Sequence, residues 1–333
     1  MPVRKVSIEN ATHDEWMAIR SGTIGGSEAG AIVGLSPYSS PFAVWCEHTG
    51  RSKPFEGNLA TEVGTYLEEF VAQQFTKATG LEVEVSNYIY FNDDFPSQHA
   101  TPDRLVKPTD KYDLGGLKCG LEIKTTNAFG RFRDGSFPEI YYAQCVQYLS
   151  VMEYDVWFLA VLVANRELHI YEIRRDESYP VPSFVEGDLV ATDGEIGTLR
   201  DACDIFLQMV KDDNPPLTDG SESATEALNE AYPEAEEGTE VSLADHQSEV
   251  NELATLLDEQ KDLNGRIEAL KNRIKSEMGE CETGRCDRFT VSWKNSFSSG
   301  LDTKRLKAER PEIYESYYRK TPCRRFSVKR MEE

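Results

Sequence analysis

Two short stretches, Thr101-Pro102-Asp103 and Leu121-Glu122-Ile123-Lys124, decide how this sequence folds. Each lies in a run of residues typical of a β-strand, over 100–106 and 117–125. Because side chains alternate along a strand, Glu122 and Lys124 share one face, while Ile123 points into the core and leaves its carbonyl beside them. We expect Asp103 to reach the same face from the adjacent strand.

These residues predict a metal site with oxygen ligands only. Asp103, Glu122 and the carbonyl of Ile123 are the hard donors that Mg²⁺ or Mn²⁺ prefers. Such a metal polarises a phosphoryl oxygen and lowers the pKa of a bound water. Lys124 is placed to position that water and to stabilise an anionic transition state. The pattern therefore indicates phosphodiester hydrolysis without a covalent intermediate.

Two polar side chains on neighbouring helices are further candidates for this site. Glu68 lies on a predicted helix over 61–79, which ends at Gly80 and has apolar residues at helical spacing. Gln144 lies at the start of a predicted helix over 140–152. Glu68 would add a carboxylate, and Gln144 would hydrogen-bond the attacking water or a phosphate. Surface positions are the alternative for both.

The Glu-x-Lys element alone is a weak signal. The same spacing occurs in Glu259-Gln260-Lys261 and in Asp302-Thr303-Lys304. Glu122 and Lys124 are therefore also compatible with an ion pair on a solvated face, which contributes at most about 1 kcal/mol. The residues around the motif have to decide between the two interpretations.

The hydrophobic pattern predicts a mixed α/β core. Residues 156–163 are continuously apolar, as expected of a central strand covered on both faces. Further strands are predicted over 81–91 and 168–174, and an amphipathic helix over 194–210.

Composition places the boundaries of the domains. We predict a first domain over 1–213, an acidic solvated linker over 214–241 and a smaller α+β module over 242–333. The module contains a long helix over 242–278 with a heptad-like apolar seam, a strand over 288–293, a helix over 303–318 and a last strand over 324–329. Two interpretations of the seam remain open: it pairs with a partner, or it packs on its own hairpin.

The net charge of −22 argues against a nucleic-acid partner only until its distribution is considered. Residues 181–260 carry 21 acidic and 2 basic side chains, so most of the excess lies in one segment. The seven cysteines include no Cys-x-x-Cys pair, which favours reduced thiols and no zinc site. No apolar run of about 18 residues occurs. We expect a cytoplasmic protein without a membrane partner, in the host cytoplasm if a phage encodes it.

Six blocks of sequence, in order, resemble the YqaJ viral recombinase family and the related lambda-type exonucleases. The resemblance runs from Arg20 to about Asp176. The blocks are Arg20-Ser21-Gly22-Thr23-Ile24-Gly25-Gly26-Ser27-Glu28-Ala29, Gly34-Leu35-Ser36-Pro37-Tyr38, Gly64-Thr65-Tyr66-Leu67-Glu68, Thr101-Pro102-Asp103, Leu121-Glu122-Ile123-Lys124 and Tyr142-Ala143-Gln144.

The resemblance implies a restriction-endonuclease-like PD-(D/E)xK core and a metal-dependent 5′-to-3′ exonuclease. The enzyme would degrade one strand of linear double-stranded DNA during phage-type recombination, as a ring-shaped homo-oligomer that is often a trimer. By matching positions, Asp103, Glu122 and the Ile123 carbonyl would bind the metal and Lys124 would activate water. Glu68 and Gln144 would support this centre.

The resemblance also implies a pocket for the 5′ phosphate of the DNA. Arg20, Ser27 and Thr101 match the positions that hold it, and Arg131 is a further candidate whose spacing does not fix the alignment. Ser27 follows two glycines and is predicted to cap a helix, and a helix N-terminus beside an arginine is suited to an anion. The family's second glutamine is displaced here to Gln147, which puts its role in doubt.

Three alternatives remain open. The first is a catalytically silent DNA-end-binding or scaffold protein of the same fold. The second is a RecB-like nuclease of different polarity, although the four-cysteine iron–sulfur site common in that group is missing. The third is an endonuclease. Basic and aromatic residues near the end of the chain are compatible with single-stranded DNA or a single-strand annealing protein as a partner.

Overall fold

The computed structural model describes residues 3–53, 57–127, 139–175, 187–297, 299–319 and 324–330. The chain forms two compact units, Met1–Tyr232 and Pro233–Glu333. Strands and helices alternate through the first unit, and the second contains a long helix and a short hairpin. The predicted mixed α/β class with a smaller, helix-bearing second part is therefore confirmed.

A six-stranded sheet forms the centre of the first unit, in the order β2-β5-β6-β7-β8-β9. The pairs β6–β7 and β8–β9 are parallel, and the others are antiparallel. A second sheet has the order β1-β3-β4. The strands are β1 (Val3–Ser7), β2 (Val83–Val85), β3 (Tyr88–Asn92), β4 (His99–Ala100), β5 (Arg104–Val106), β6 (Cys119–Thr126), β7 (Val156–Val163), β8 (Glu167–Arg174) and β9 (Gly187–Val190).

Seven helices accompany these sheets in the described part of the first unit. They are α1 (His13–Arg20), α2 (Gly26–Ile32), α3 (Pro41–His48), α4 (Leu59–Thr79), α5 (Glu139–Met152), α6 (Asp193–Lys211) and α7 (Glu222–Ala231). The parallel strands β6 and β7 require a crossover connection, and α5 lies within it. Helix α4 starts where the Asn58 side chain accepts a hydrogen bond from the Thr61 N–H, and it ends at Gly80 with a φ of 71°.

Strand β7 lies at the centre of the core, as its apolar run predicts, and all eight of its residues are buried. Alternate residues of β7 pack into two different hydrophobic clusters, one on each face of the sheet. Trp157 and Leu159 join the cluster formed with α2, α3, α5 and α6. Phe158 and Ala160 join the cluster that contains Phe75 of α4. The sheet is thus covered on both faces, which fixes the positions of α4 and α5 relative to β6.

The predicted strands over 81–91 and 100–106 were each too long. The first is interrupted between β2 and β3, and the second between β4 and β5. The break at Thr101-Pro102-Asp103 has a clear cause, because Pro102 has no N–H to donate to a ladder. As β4 and β5 belong to different sheets, this tripeptide connects the two.

The segment 214–241, predicted to be a solvated linker, contains helix α7. Ala224 and Ala227 are buried, and the Ser223 hydroxyl accepts a hydrogen bond from the Ser40 N–H. Ala224 and Ala227, three residues apart, form a small apolar face on α7 that packs against α3. The acidic composition of the segment hid this helix from the sequence analysis. The functional division between the two units stays a prediction.

In the second unit, α8 (Gln247–Met278) is followed by the hairpin β10 (Thr283–Arg285) and β11 (Thr290–Ser292). The predicted helix over 303–318 is two helices, α9 (Thr303–Glu309) and α10 (Pro311–Tyr317), because Pro311 cannot continue α9 and starts a new helix instead. The predicted last strand is wrong for the described residues 324–330, which form no strand.

No helix of the described chain combines the length and the apolar character needed to span a bilayer.

Gly120 provides a test of the packing in the central sheet. It is paired with Trp157 across β6 and β7, and a Cβ at this position would overlap the six-membered part of the indole. We expect Gly120→Ala to destabilise the protein by about 1–3 kcal/mol. Gly197→Ala in α6, where a Cβ meets open space, should instead stabilise by about 0.5–1 kcal/mol. Urea unfolding followed by tryptophan fluorescence measures both, and equal effects would contradict this account of the sheet.

Candidate active site

Asp103 is tied to the edge of β6 by a backbone hydrogen bond. The Ile123 N–H donates to Asp103 Oδ2 at 2.7 Å. The ladder between β5 and β6 ends at the pair Arg104–Leu121, which leaves this edge of β6 open at Ile123. Because the N–H and C=O of one strand residue point to the same edge, the Ile123 carbonyl also faces Asp103.

Glu122 is almost fully buried, with 2% of its surface exposed. Its Oε1 accepts hydrogen bonds from Lys124 Nζ at 2.6 Å and from Gln144 Nε2 at 2.6 Å. Its Oε2 is also buried and receives no hydrogen-bond donor from the described residues. A buried carboxylate oxygen without a donor is costly, so this atom calls for a cation or a water.

The charges of the site interact strongly. Burial raises the pKa of Asp103 well above its usual range, and neighbouring Glu122 raises it further. Burial likewise raises the pKa of Glu122, against the opposing effect of Lys124. Burial disfavours the charge of Lys124, but the two carboxylates outweigh it and raise the lysine's pKa. The two carboxyl groups therefore compete for the single ammonium group of Lys124, and burial disfavours a negative charge on both at once.

These residues fit a hard divalent cation. Asp103 and Glu122 lie side by side, Glu122 Oε2 lacks a donor, and the Ile123 carbonyl faces the same edge. Oxygen donors of this kind suit Mg²⁺ or Mn²⁺. No cluster of three or more His, Cys, Asp or Glu side chains suitable for a metal occurs within the described residues. The predicted set of two carboxylates and one carbonyl has no such third side chain.

Glu68 lies close to the two carboxylates but is bound to an arginine. Arg104 Nη1 donates to Glu68 Oε1 and to the Asp103 carbonyl, and its Nη2 donates to Glu69 Oε2 at 3.1 Å. The charge of Glu68 contributes to the raised pKa values of Asp103 and Glu122. Buried Arg104 thus anchors α4 beside the site. The sequence analysis missed it, although it directly follows Asp103.

A short chain of hydrogen bonds connects Gln144 with Thr101. Gln144 Nε2 also donates to the Tyr148 hydroxyl at 2.9 Å, and that hydroxyl donates to the Thr101 carbonyl at 3.2 Å. Thr101 Oγ1 is buried and makes no hydrogen bond to a described residue. Tyr148 was not predicted as a site residue. Its position one helical turn after Gln144 is a signal that could have identified it.

The predicted cap at Ser27 is wrong. The residue that caps α2 is Gly25, whose N–H donates to Glu28 Oε2 at 2.6 Å, and Ser27 is exposed in the first turn. Gly26, the first residue of the helix, lies directly against the Tyr148 ring, where a Cβ would overlap it. Helix α2 thus starts two residues earlier than predicted, and its first turn lies next to the hydrogen-bonded chain described above.

Arg20 lies beside this first turn. Its guanidinium is 4.3 Å from the centre of the Trp16 ring, and its Nη2 is 3.8 Å from Glu28 Oε2. Glu28 Oε1 in turn lies 3.0 Å from His48 Nε2. Burial of Glu28 is outweighed by His48, Gly25 and Arg20, so its pKa is lowered. Glu28, to which the sequence analysis gave no role, is therefore a charged carboxylate that holds Arg20 in place.

Gln147 has a structural position. It is fully buried, and its Nε2 donates to the carbonyls of Ile24 at 2.8 Å and His99 at 3.0 Å. It thereby joins the segment before α2 to β4. Arg131, predicted as a further phosphate ligand, lies outside the described residues.

Comparisons with known proteins match the part of the chain that contains these residues. Residues 15–155 match the model of the YqaJ-like viral recombinase domain, a span that includes the described site residues. The uncharacterized protein YqaJ of Bacillus subtilis strain 168 is 29% identical over 324 residues, which cover 96% of this chain and 94% of that protein. The likeness to that relative therefore extends through both units.

Solved structures similar to this chain include those of LHK-Exo, an alkaline exonuclease from Laribacter hongkongensis. Its complex with dAMP is 17% identical, with a TM-score of 0.46. A second crystal structure of the same protein is 19% identical, with a TM-score of 0.44. Both alignments cover 60% of this chain and 94% of the other. Residues 15–155 of this chain are thus similar to the YqaJ-like viral recombinase domain, and the chain as a whole is similar to YqaJ of Bacillus subtilis.

Proposed function

We propose that this protein is a metal-dependent 5′-to-3′ exonuclease that degrades one strand of linear double-stranded DNA for phage-type recombination. One observation carries the proposal: the buried carboxylates of Asp103 and Glu122 lie next to each other and to Lys124, within a domain of the viral recombinase type. This arrangement favours a role in phosphodiester hydrolysis over the alternative of an ion pair on a solvated face, because Glu122 is buried rather than exposed.

Each residue of the site has a separate proposed role in hydrolysis. Asp103, Glu122 and the Ile123 carbonyl would hold Mg²⁺ or Mn²⁺, which supplies a polarised phosphoryl oxygen and a more acidic water. Lys124 carries a positive charge beside the place where negative charge develops. Gln144 fixes the orientation of Glu122 through its hydrogen bond to Oε1. Glu68 acts through Arg104, which donates to the Asp103 carbonyl.

Arg20, Ser27, Thr101 and Arg131 are proposed to hold the 5′ phosphate of the DNA end. Arg20 is partly exposed, Ser27 is exposed, and the Thr101 carbonyl is linked through Tyr148 to Gln144. A phosphate bound by Arg20 and Ser27 would set the distance from the strand end to the scissile bond. A ring-shaped homo-oligomer, often a trimer in the family that this chain resembles, and a single-strand annealing partner belong to the same proposal.

Removing the Lys124 ammonium tests the chemistry. We expect Lys124→Ala to lower the Mg²⁺-dependent hydrolysis of linear duplex DNA by at least about 100-fold, because the charge that stabilises the transition state is lost. Lys304→Ala is the matched control, since Asp302 and Lys304 repeat the motif spacing on an exposed segment. Label released first from 5′ ends, with closed circular DNA left intact, supports the polarity and the need for an end. DNA left intact by the wild type in Mg²⁺ would favour the silent DNA-binding protein.

Metal binding is testable without activity. An ion that binds only the folded state at 100 times its dissociation constant stabilises it by about 2.7 kcal/mol, which corresponds to roughly 5–10 °C in melting temperature. We expect Mn²⁺ to raise the melting temperature of the wild type and to have little effect on Asp103→Asn. Asp93→Asn, which changes an exposed carboxylate, serves as the control. An equal rise in wild type and Asp103→Asn would exclude Asp103 as a ligand.

The phosphate pocket predicts a preference for phosphorylated ends. Arg20→Ala should slow the degradation of 5′-phosphorylated duplex by about tenfold or more, because a charge-assisted contact is lost, and should leave 5′-hydroxyl duplex nearly unchanged. Arg4→Ala removes an exposed arginine elsewhere in the first unit and should preserve the preference. Equal losses on both substrates would show that Arg20 does not read the phosphate.

A further inference from the structure

Helix α8 carries an apolar seam that the nuclease proposal does not use. Its 32 residues span roughly 48 Å at 1.5 Å per residue. Positions alternating by three and four residues are apolar apart from one glutamine: Leu253, Leu256, Gln260, Leu263, Ile267, Leu270 and Ile274. From Leu256 to Ile274, the five apolar side chains are 38% to 53% exposed. This is the heptad pattern of a coiled coil, with the seam residues at positions a and d.

Contacts with the rest of the second unit leave most of this seam open. The hairpin β10–β11 packs near the end of α8, where Ile274, Met278 and Val291 line one cavity. Arg330 pairs with Asp258, on the face opposite the seam. Among the described residues of this unit, neither contact covers the part between Leu253 and Leu270.

The charges beside the seam indicate what covers it. The four g positions are, in order, Glu252, Glu259, Arg266 and Arg273, two acids followed by two bases, and all are exposed. In an antiparallel pair of identical helices, g positions face g positions. A register centred between Glu259 and Arg266 joins Glu259 with Arg266 of a second copy and Glu252 with Arg273. Every member of the row then meets the opposite charge.

A parallel pair lacks this complementarity. There, g positions face the e positions of the next heptad, and Arg266 would face Lys271 of a second copy, while Glu259 would face Asn264. None of these contacts is attractive, and one is repulsive. The antiparallel register also uses only the seam from Leu253 to Leu270, which ends before the hairpin contact at Ile274.

We propose that α8 binds α8 of a second copy of this chain as an antiparallel two-stranded coiled coil. Leu253 then packs with Leu270, Leu256 with Ile267, and Gln260 with Leu263 of the second copy. This interface is separate from any ring formed by the first unit. It would join two rings, or two monomers, through their second units.

Site-specific cross-linking of the full-length protein tests the pairing and its direction. The exposed Cys281 and Cys286, together with Cys323, are first replaced by serine. Gln260→Cys and Leu263→Cys are then made as separate variants. In the antiparallel register the two positions face each other, so oxidation should cross-link an equal mixture of the variants and neither variant alone.

The other results would overturn the proposal. Cross-linking of each variant with itself would show a parallel pair, because identical a or d positions then meet. No cross-link in the mixture, with helix content by circular dichroism unchanged, would show that the seam does not bind a second copy. DNA hydrolysis is not read in this experiment, so its outcome does not depend on the proposed exonuclease activity.

Charge reversal gives a second measurement. In the mixture of cross-linking variants, Glu259→Arg added to both should strongly reduce the yield, because the introduced arginine would repel Arg266 of the second copy. The double change Glu259→Arg and Arg266→Glu should restore it, since the pairs are exchanged rather than lost. A yield that is insensitive to the single change, or is not restored by the double change, would contradict the assigned register.

Discussion

The burial of two neighbouring carboxylates, Asp103 and Glu122, is the constraint on which the rest of the site depends. An isolated buried carboxylate is strongly disfavoured, so each needs donors or a counter-charge. The Ile123 N–H serves Asp103, and Lys124 and Gln144 serve Glu122. These donors do not satisfy Glu122 Oε2, and the pKa values of both acids are raised. The fully ionised pair is thus disfavoured unless a further positive charge is present, and a divalent cation would supply that charge.

The fold delivers those donors from different elements. The parallel crossover from β6 to β7 passes through α5, which brings Gln144 over Glu122. Buried Arg104 links α4 to the Asp103 backbone. Gly26 and Gly30 let α2 approach α5 closely, because a Cβ at either position would overlap Tyr148 or Ile140. The first turn of α2 therefore packs against α5, the helix whose Gln144 binds Glu122.

Much of this could be predicted from the sequence, because the relevant signals are local. The alternation on β6 placed Glu122 and Lys124 on one face, and the apolar run of β7 identified the central strand. Errors arose where tertiary packing decides. Ser27 was expected to cap α2, but the helix starts at Gly26, which packs directly against Tyr148 of α5. The ion pairs of Arg104 with Glu68 and of Glu28 with His48 join residues 36 and 20 positions apart, which no local pattern reveals.

The order of charges carries more information here than their sum. A net charge of −22 would suggest repulsion from DNA, yet the acids are concentrated in 181–260, away in sequence from the site residues. In the site itself, the charges that matter are those of two neighbouring carboxyl groups and Lys124. In α8, the row Glu252, Glu259, Arg266 and Arg273 sums to zero, and only its sequence order makes it complementary to itself in the antiparallel direction. Because screening limits charge interactions to about 8–10 Å at moderate ionic strength, the nearest partners decide the effect in both cases.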